Sequence, residues 1–419
     1  MRFYLLSTLI LLCSFSFGQD LNSIYKESME AHSNQDYGKF VALNKEALKL
    51  HPSQPTILYN LAAGYSLTNS LQDTYLILRN LLSWNNTIGY EKDTDFNNLL
   101  SSDKYSRTLD SLVKSYGRAI RTGKEYALFK GKRHLEDLIV LDSLLFATDV
   151  YHGELISYNI KNKKVEVIKE FDLPVLAVAS NSNPESIWVS TAKISQSKKK
   201  GGQSSTPEII EINALKRKVK SRIPLENKVV AGSMAFDKQG YLYVSNSSIP
   251  EVIIIDTQAK TIKSKIPMDS GFNLQGLTVD LDKNILYIAD YIKGIARVDI
   301  EDNHQVTWLE SKDFLLKGID GLTYIKDNLL IAVQNNSTPK RVFKIKTKGM
   351  AVDTVTFLDN NLDTDGEPTN GKYFEKLGFL YISNSPWPHY DKNGEAIMEN
   401  WEDQKILLIN PESFLEDRL

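Results

Sequence analysis

The chain has one cysteine, Cys13, in 419 residues, no marked excess of charge, and no apolar run long enough to cross a bilayer. If Cys13 leaves with a leader segment, disulfides, thiolate nucleophiles and cysteine-held metals are all excluded, and stability rests on buried apolar surface. Formal net charge is −2, so no broad field draws nucleic acid or an anionic membrane surface. Glycine loops for nucleotides, a G-x-S-x-G elbow and an H-E-x-x-H pair are missing, which removes local support for P-loop, serine-hydrolase and zincin chemistry. The six histidines are scattered, and His152, His304 and His389 lie beside turn signals, where a solvated or hydrogen-bonded imidazole is the ordinary state.

What is there starts with "MRFYLLSTLILLCSFSFGQD". A basic start at Arg2, an apolar run from Leu5 to Leu12 and small residues Ser16 and Gly18 have the layout of a signal peptide over residues 1–18. The expected location is therefore outside the cytoplasm, periplasmic or extracellular. Cys13 leaves a lipoprotein alternative open, against which stands the bulky Leu12 before it. Apolar content of 42% with 24% charge is that of a globular chain with a substantial core, and the length suggests about two or three domains.

From residue 19 to about 122 apolar residues recur at helical spacing. Two helical pairs flank the helix-stopping "HPSQP". With Phe40, Asn44, Ala47 and Pro52 in one copy and Leu58, Leu61, Ala62, Tyr65, Leu78 and Leu81 in the next, the segment resembles the tetratricopeptide repeat. That resemblance implies a concave surface for a peptide or protein partner; a module that caps or positions the next domain is the other reading. Residues 123–134 are polar enough to be a linker. The basic run "SKKKGG" (Ser197 to Gly202) reads as a solvated loop or a docking patch.

From Leu135 to the end, short alternating apolar runs are joined by Asp, Asn, Gly and Lys turns. Copies start at Leu135, Val175, Ala231, Gln275, Asp320 and Glu367, an interval of roughly 40 to 55 residues, which suits propeller blades of four strands. Six copies predict a six-bladed β-propeller over 135–419, with "QKILLINPESF" supplying the outer strand of the last blade. The predicted fold class is thus an all-α helical repeat followed by an all-β propeller.

Residues at the start of each inner strand line one mouth of a propeller, so Glu136, Leu176, Ala231, Gln275, Asp320 and a residue in Glu367–Thr369 are expected to form a ring. Carboxylate and amide oxygens converging there suit a hard divalent cation such as calcium or magnesium. The G-L-T starts of blades four and five, "LLFATD" in the first and "EPTNG…FLYISNSPW" in the last resemble the regucalcin/gluconolactonase family. That resemblance implies one divalent metal, calcium or zinc, held by Glu136, Gln275 and Asp320. It also implies hydrolysis of a lactone or ester, with Asp320 as general base. Gln275 departs from the family's Asn, Ala231 stands where a further Asn contributes, and the usual Pro after Glu136 is missing.

Glu367, Thr369 and Trp387 are candidate ligand-binding residues for a lactone- or sugar-like molecule; Trp387, His389 and Tyr390 either stack on it or cover the blade edge. "NLDTDGEPTNGKYFE" approaches calcium-loop spacing, but Lys372 stands at the closing Glu and Pro368 interrupts it, so an acidic turn is the reading. A non-catalytic interaction module for protein or glycan partners is the alternative function, since propellers host both.

Overall fold

The computed structural model describes residues 21–414 apart from Ser182, Pro184 and Asn303. The signal peptide read over 1–18, with Cys13, lies outside the described residues.

Four helices open the chain, α1 (Leu21–Ser33), α2 (Tyr37–Leu50), α3 (Pro55–Leu67) and α4 (Leu71–Trp84), each packed on the next. Asp36 caps α2 by accepting from Lys39 N–H, and Pro55 sits in the first turn of α3, where its missing donor costs nothing. Ala47 and Ala62 are buried as small contact residues. Gly64 lets α3 meet α2 closely, because a β-carbon there would stand 2.8 Å from Val41 and 3.0 Å from Phe40. A short helix, α5 (Asn97–Leu100), and α6 (Asp103–Gly117) close this core around Tyr90, Phe96 and Leu109.

The rest is a six-bladed β-propeller. Its six antiparallel sheets have inner strands Leu135–Leu141, Val175–Ser180, Ala231–Phe236, Leu274–Asp280, Ile319–Tyr324 and Gly371–Phe374. Each inner strand neighbours the next, and the sixth returns to the first, so the ring closes. The apolar residues of facing blades bury one another; Ile210 and Val189 meet Leu155 and Phe146, for example. That is how a blade with two apolar faces avoids water.

Two expectations are corrected here. Lys124–Phe129 is not linker; it pairs antiparallel with Gln404–Ile409, Lys124 opposite Leu408 and Phe129 opposite Gln404. Gln404–Ile409 is accordingly the third strand of the last blade, and the outer strand comes from upstream of the first blade. The polar sequence fits an outermost strand, whose outer face meets solvent, while Ala127 and Phe129 enter the core. This pairing ties the two ends of the propeller together.

The helical part docks on blades four and five. Arg341, fully buried, donates from Nη1 to Ser83 O (2.9 Å) and from Nε to Pro339 O (3.0 Å), and its guanidinium lies 4.9 Å from the Phe357 ring. Burial pushes its pKa down to about 10. Ser83 Oγ accepts from Leu315 N–H, Trp84 donates its indole N–H to Asn336 O, and His51 stacks on Phe272 at 4.7 Å. Asn360 donates to Tyr116 O and Arg118 O.

Arg341→Ala removes the hydrogen bonds of a charged group at this junction, about 1.5–3 kcal/mol each. The expected result is a lower Tm and faster protease cleavage between helices and propeller; unchanged Tm and cleavage would show that the junction does not depend on Arg341.

Candidate functional site

A cavity of about 320 Å³ opens at the mouth where the inner strands begin. What aims side chains into it is a repeated irregularity. In blade five Ile319 pairs with Gln334 but Gly321 with Val333, so Asp320 is one residue too many for the ladder. Blades one, two and four show the same surplus between Leu135 and Leu138, Val175 and Val178, and Leu274 and Leu277. A bulge of this kind re-aims a side chain and ends regular pairing, which presents Glu136, Leu176, Gln275 and Asp320 to the cavity. Blade six reaches the same place through Glu367, which exchanges hydrogen bonds with Ser385.

Blade three departs from the expected register. Ala231 pairs with Asn246 and Ser233 with Ser245, so the surplus residue is Gly232. Ala231 is fully buried in the blade and does not line the cavity, while Gly232 does. A β-carbon on Gly232 would stand 2.7 Å from Ser247 Oγ, so the hydroxyl fills the room that a side chain takes in the other blades. Thr369 is likewise buried away from the cavity, its hydroxyl donating to Glu136 O at 3.2 Å. Its place is to hold blade six against the bulge of blade one.

The cavity therefore gathers Glu136, Gln275, Asp320, Glu367 and Trp387 from the expected set. It adds Asn273, Ser247, Tyr291 and Asn335, which sequence reasoning did not select. The last three share a position, the residue just after the end of each second strand: "VSN" then Ser247, "IAD" then Tyr291, "AVQ" then Asn335. Aligning the ends of the repeats as well as their starts would have found them.

Hydrogen bonds order the acids. Tyr291 donates to Asn335 Oδ1 at 2.8 Å, and Asn335 Nδ2 donates to Asp320 Oδ2 at 2.8 Å. Trp387 Nε1 donates to Glu136 Oε2 at 2.8 Å, and Gln275 Nε2 donates to Asn273 Oδ1 at 2.5 Å. Behind Glu136 lies His134, fully buried, with Nδ1 2.7 Å from Tyr390 OH and its ring edge-on to Trp387 at 4.3 Å. Burial pushes His134 down to about 3, so it stays neutral and leaves the acids without a cation there.

Trp387 belongs to a cover built from two insertions. Trp387, Tyr390 and Trp401 pack around His134 and Tyr151. The basic run of blade two lies beside them, with Lys198 and Lys200 exposed. Lys198 lies over Tyr151, Lys199 pairs with Glu170, and Lys200 reaches Ser195 O and Glu395. Tyr390 thus serves the cover, and Trp387 both covers and lines.

Electrostatically the cavity is one-sided. Burial and then the Glu367 charge push Asp320 up to about 7, while burial pushes Glu367 up to about 7 against the opposing Lys340, whose Nζ is 3.8 Å away. Glu136 is held well above the usual carboxylate range by burial, then by Asp320, the indole bond opposing. Tyr291 is likewise raised by burial and by the same acids. Among the described residues no three of His, Cys, Asp and Glu gather closely enough to hold a metal ion by themselves.

No protein-family model matches the sequence, and none of the curated proteins does. Solved propellers match the shape at low identity. An aldose sugar dehydrogenase of Streptomyces coelicolor, solved with PQQ bound, is 12% identical over 70% of this chain and 98% of its own, with a TM-score of 0.47. Virginiamycin B lyase of Staphylococcus aureus is 14% identical over 63% and 81%, with a TM-score of 0.45. The major allergen Mala s 1 of Malassezia sympodialis is 13% identical over 69% and 96%, at 0.48. Likenesses of this size carry nothing about chemistry, and the six-sheet ring stands on its own strand pairing.

Carboxyls raised on folding stabilise the fold only while protonated. Their contribution is full below about pH 4 and is lost as pH rises through about 7. In EDTA, Tm is expected to fall between about pH 5 and pH 8, and Asp320→Asn to flatten that fall. A fall of the same size in the variant would mean the three acids do not share a site.

Proposed function

We propose that the cavity binds a small lactone- or ester-type ligand and hydrolyses it, with Asp320 as general base. The observation that carries this reading is the burial of three carboxyls from blades one, five and six in one cavity, two of them poised near neutral pH. A base works best when its pKa lies near the working pH. Two carboxyls whose surroundings push their protonation apart divide into base and acid.

The division follows from the hydrogen bonds. Asn335 holds Asp320 Oδ2 and is itself held by Tyr291, which leaves Asp320 Oδ1 for a water. Glu136 accepts from Trp387 through Oε2, so when neutral it carries its proton on Oε1 and can donate it to a carbonyl oxygen. Water then attacks the carbonyl carbon and gives its proton to Asp320. The acyl carbon–oxygen bond breaks, the leaving alkoxide takes the proton from Asp320, the former carbonyl oxygen returns its proton to Glu136, and acid and alcohol are released. Trp387 walls one side of the cavity.

The family resemblance implies a divalent cation at this place, and the donor set speaks for one, being all oxygen with little compensating charge. Glu136, Asp320 and the amide oxygen of Gln275 would hold it, with water completing the shell, since the acids of the cavity do not come close enough to hold an ion by themselves. With Glu136 ionised as a ligand, a bound ion would polarise the carbonyl in place of the Glu136 proton, and it would lower the pKa of Asp320.

The non-catalytic alternative finds its support in the docked helices, which offer a protein partner a surface fixed to the propeller. Aldonolactones and aryl esters assayed on the full chain, in EDTA and with added calcium or zinc, separate the two. Turnover is expected, and Asp320→Asn should lower kcat by about 10²-fold or more. No turnover under any condition, with Tm unmoved by lactone or cation, would overturn the hydrolase reading.

A further inference from the structure

The two ends of the inner strands open into different cavities. Glu136 and Asp320, at the beginnings, line the one described above; residues 139–141 and 322–324, at the ends of the same strands, line a second of about 500 Å³ at the opposite mouth. All six blades contribute to it, through Leu141, Ala179, Phe236, Leu281, Tyr324 and Phe374 among others. Most of its lining residues are aliphatic or aromatic, with Ser180, Asn181, Thr278 and Thr323 among them. Leu281 is 45% exposed on its rim.

One cation reaches this cavity. Lys372, the residue that spoiled the calcium-loop pattern, lies on the inner strand of blade six and lines it. Its Nζ is 3.5 Å from Asp137 Oδ2 and 3.4 Å from Met234 O, both long for an ammonium with three donors. Asp137 is fully buried and already accepts from Val178 and Leu138 N–H at 2.9 Å each, so its charge does not depend on Lys372 alone. The carboxylate on the cavity wall, Asp237, is engaged by Tyr241 N–H at 2.8 Å.

We propose that the second mouth is a binding site for a small amphipathic monocarboxylate, its carboxylate meeting Lys372 and its apolar body filling the funnel. A concave, mostly apolar pocket with one polar group that fixes orientation is the usual form of a small-molecule site. The two mouths differ: the first gathers three carboxyls, while the second sets the Lys372 ammonium among apolar side chains with Asp137 and Asp237 nearby. This site stands whether or not the first one is hydrolytic.

Calorimetry on the full chain with decanoate, decanol and decylammonium tests it. One saturable decanoate site is expected, with decanol and decylammonium at least tenfold weaker. Lys372→Gln should weaken decanoate at least tenfold. Leu281→Asp changes only an exposed rim residue, so it decides the matter if Lys372→Gln fails to fold; it should also weaken decanoate tenfold, while leaving the circular dichroism unchanged. Absence of saturable decanoate binding, equal binding of the neutral or cationic probe, or full affinity in Leu281→Asp would overturn the proposal.

Discussion

Negative charge with little to balance it governs the candidate site. Glu136, Asp320 and Glu367 share one cavity, and the ammonium of Lys340 stands 3.8 Å from Glu367. In a low-dielectric setting three carboxylates cannot all stay ionised. They take protons, a cation, or a ligand rich in donors, and each of these outcomes is a form of chemistry. Neutral His134 adds no charge behind them, so the imbalance persists through the layer that supports the acids.

The scaffold makes that imbalance tolerable. Each acid sits on a surplus residue or irregular pairing at the start of a strand whose remaining residues are locked in the ring. The ring is closed by Lys124–Phe129 on Gln404–Ile409, so repulsion at the mouth works against paired backbone rather than a free end. Docking of the helices adds to this. Arg341 and Asn360 bind carbonyls of the helical part from blade five, the blade that also carries Asp320 and Asn335. Trp387, which lines the cavity, is held in turn by Tyr390, itself packed on Trp401.

Much of this was legible in the sequence, because a repeat fold writes its period into the chain. Glu136, Gln275 and Asp320 were placed at the mouth from repeat alignment alone. Ala231 was misplaced by one because its Gly232 was matched to the glycines of "QGLT" and "DGLT", whereas the ladder matches it to Gln275 and Asp320. A bulge is set by pairing across strands, and a single strand's letters do not show where its surplus residue falls. Lys124–Phe129 escaped for a related reason: an outer strand has one wet face, and its partner lies almost three hundred residues away. Tyr291 and Asn335 were missed because only the starts of the repeats were aligned. Lys372 reads in sequence as the wrong residue for a calcium loop, while its neighbour in space, Asp137, comes from another blade.

The most direct measurement of the central claim is a carboxyl titration by carbon-13 NMR on cation-free protein. Asp320 and Glu367 are expected to titrate near pH 7, displaced from the bulk of the carboxyls, and to move together when either is made an amide. If every aspartate and glutamate titrates in the ordinary range around pH 4, the three acids do not share a buried cavity and the account is wrong.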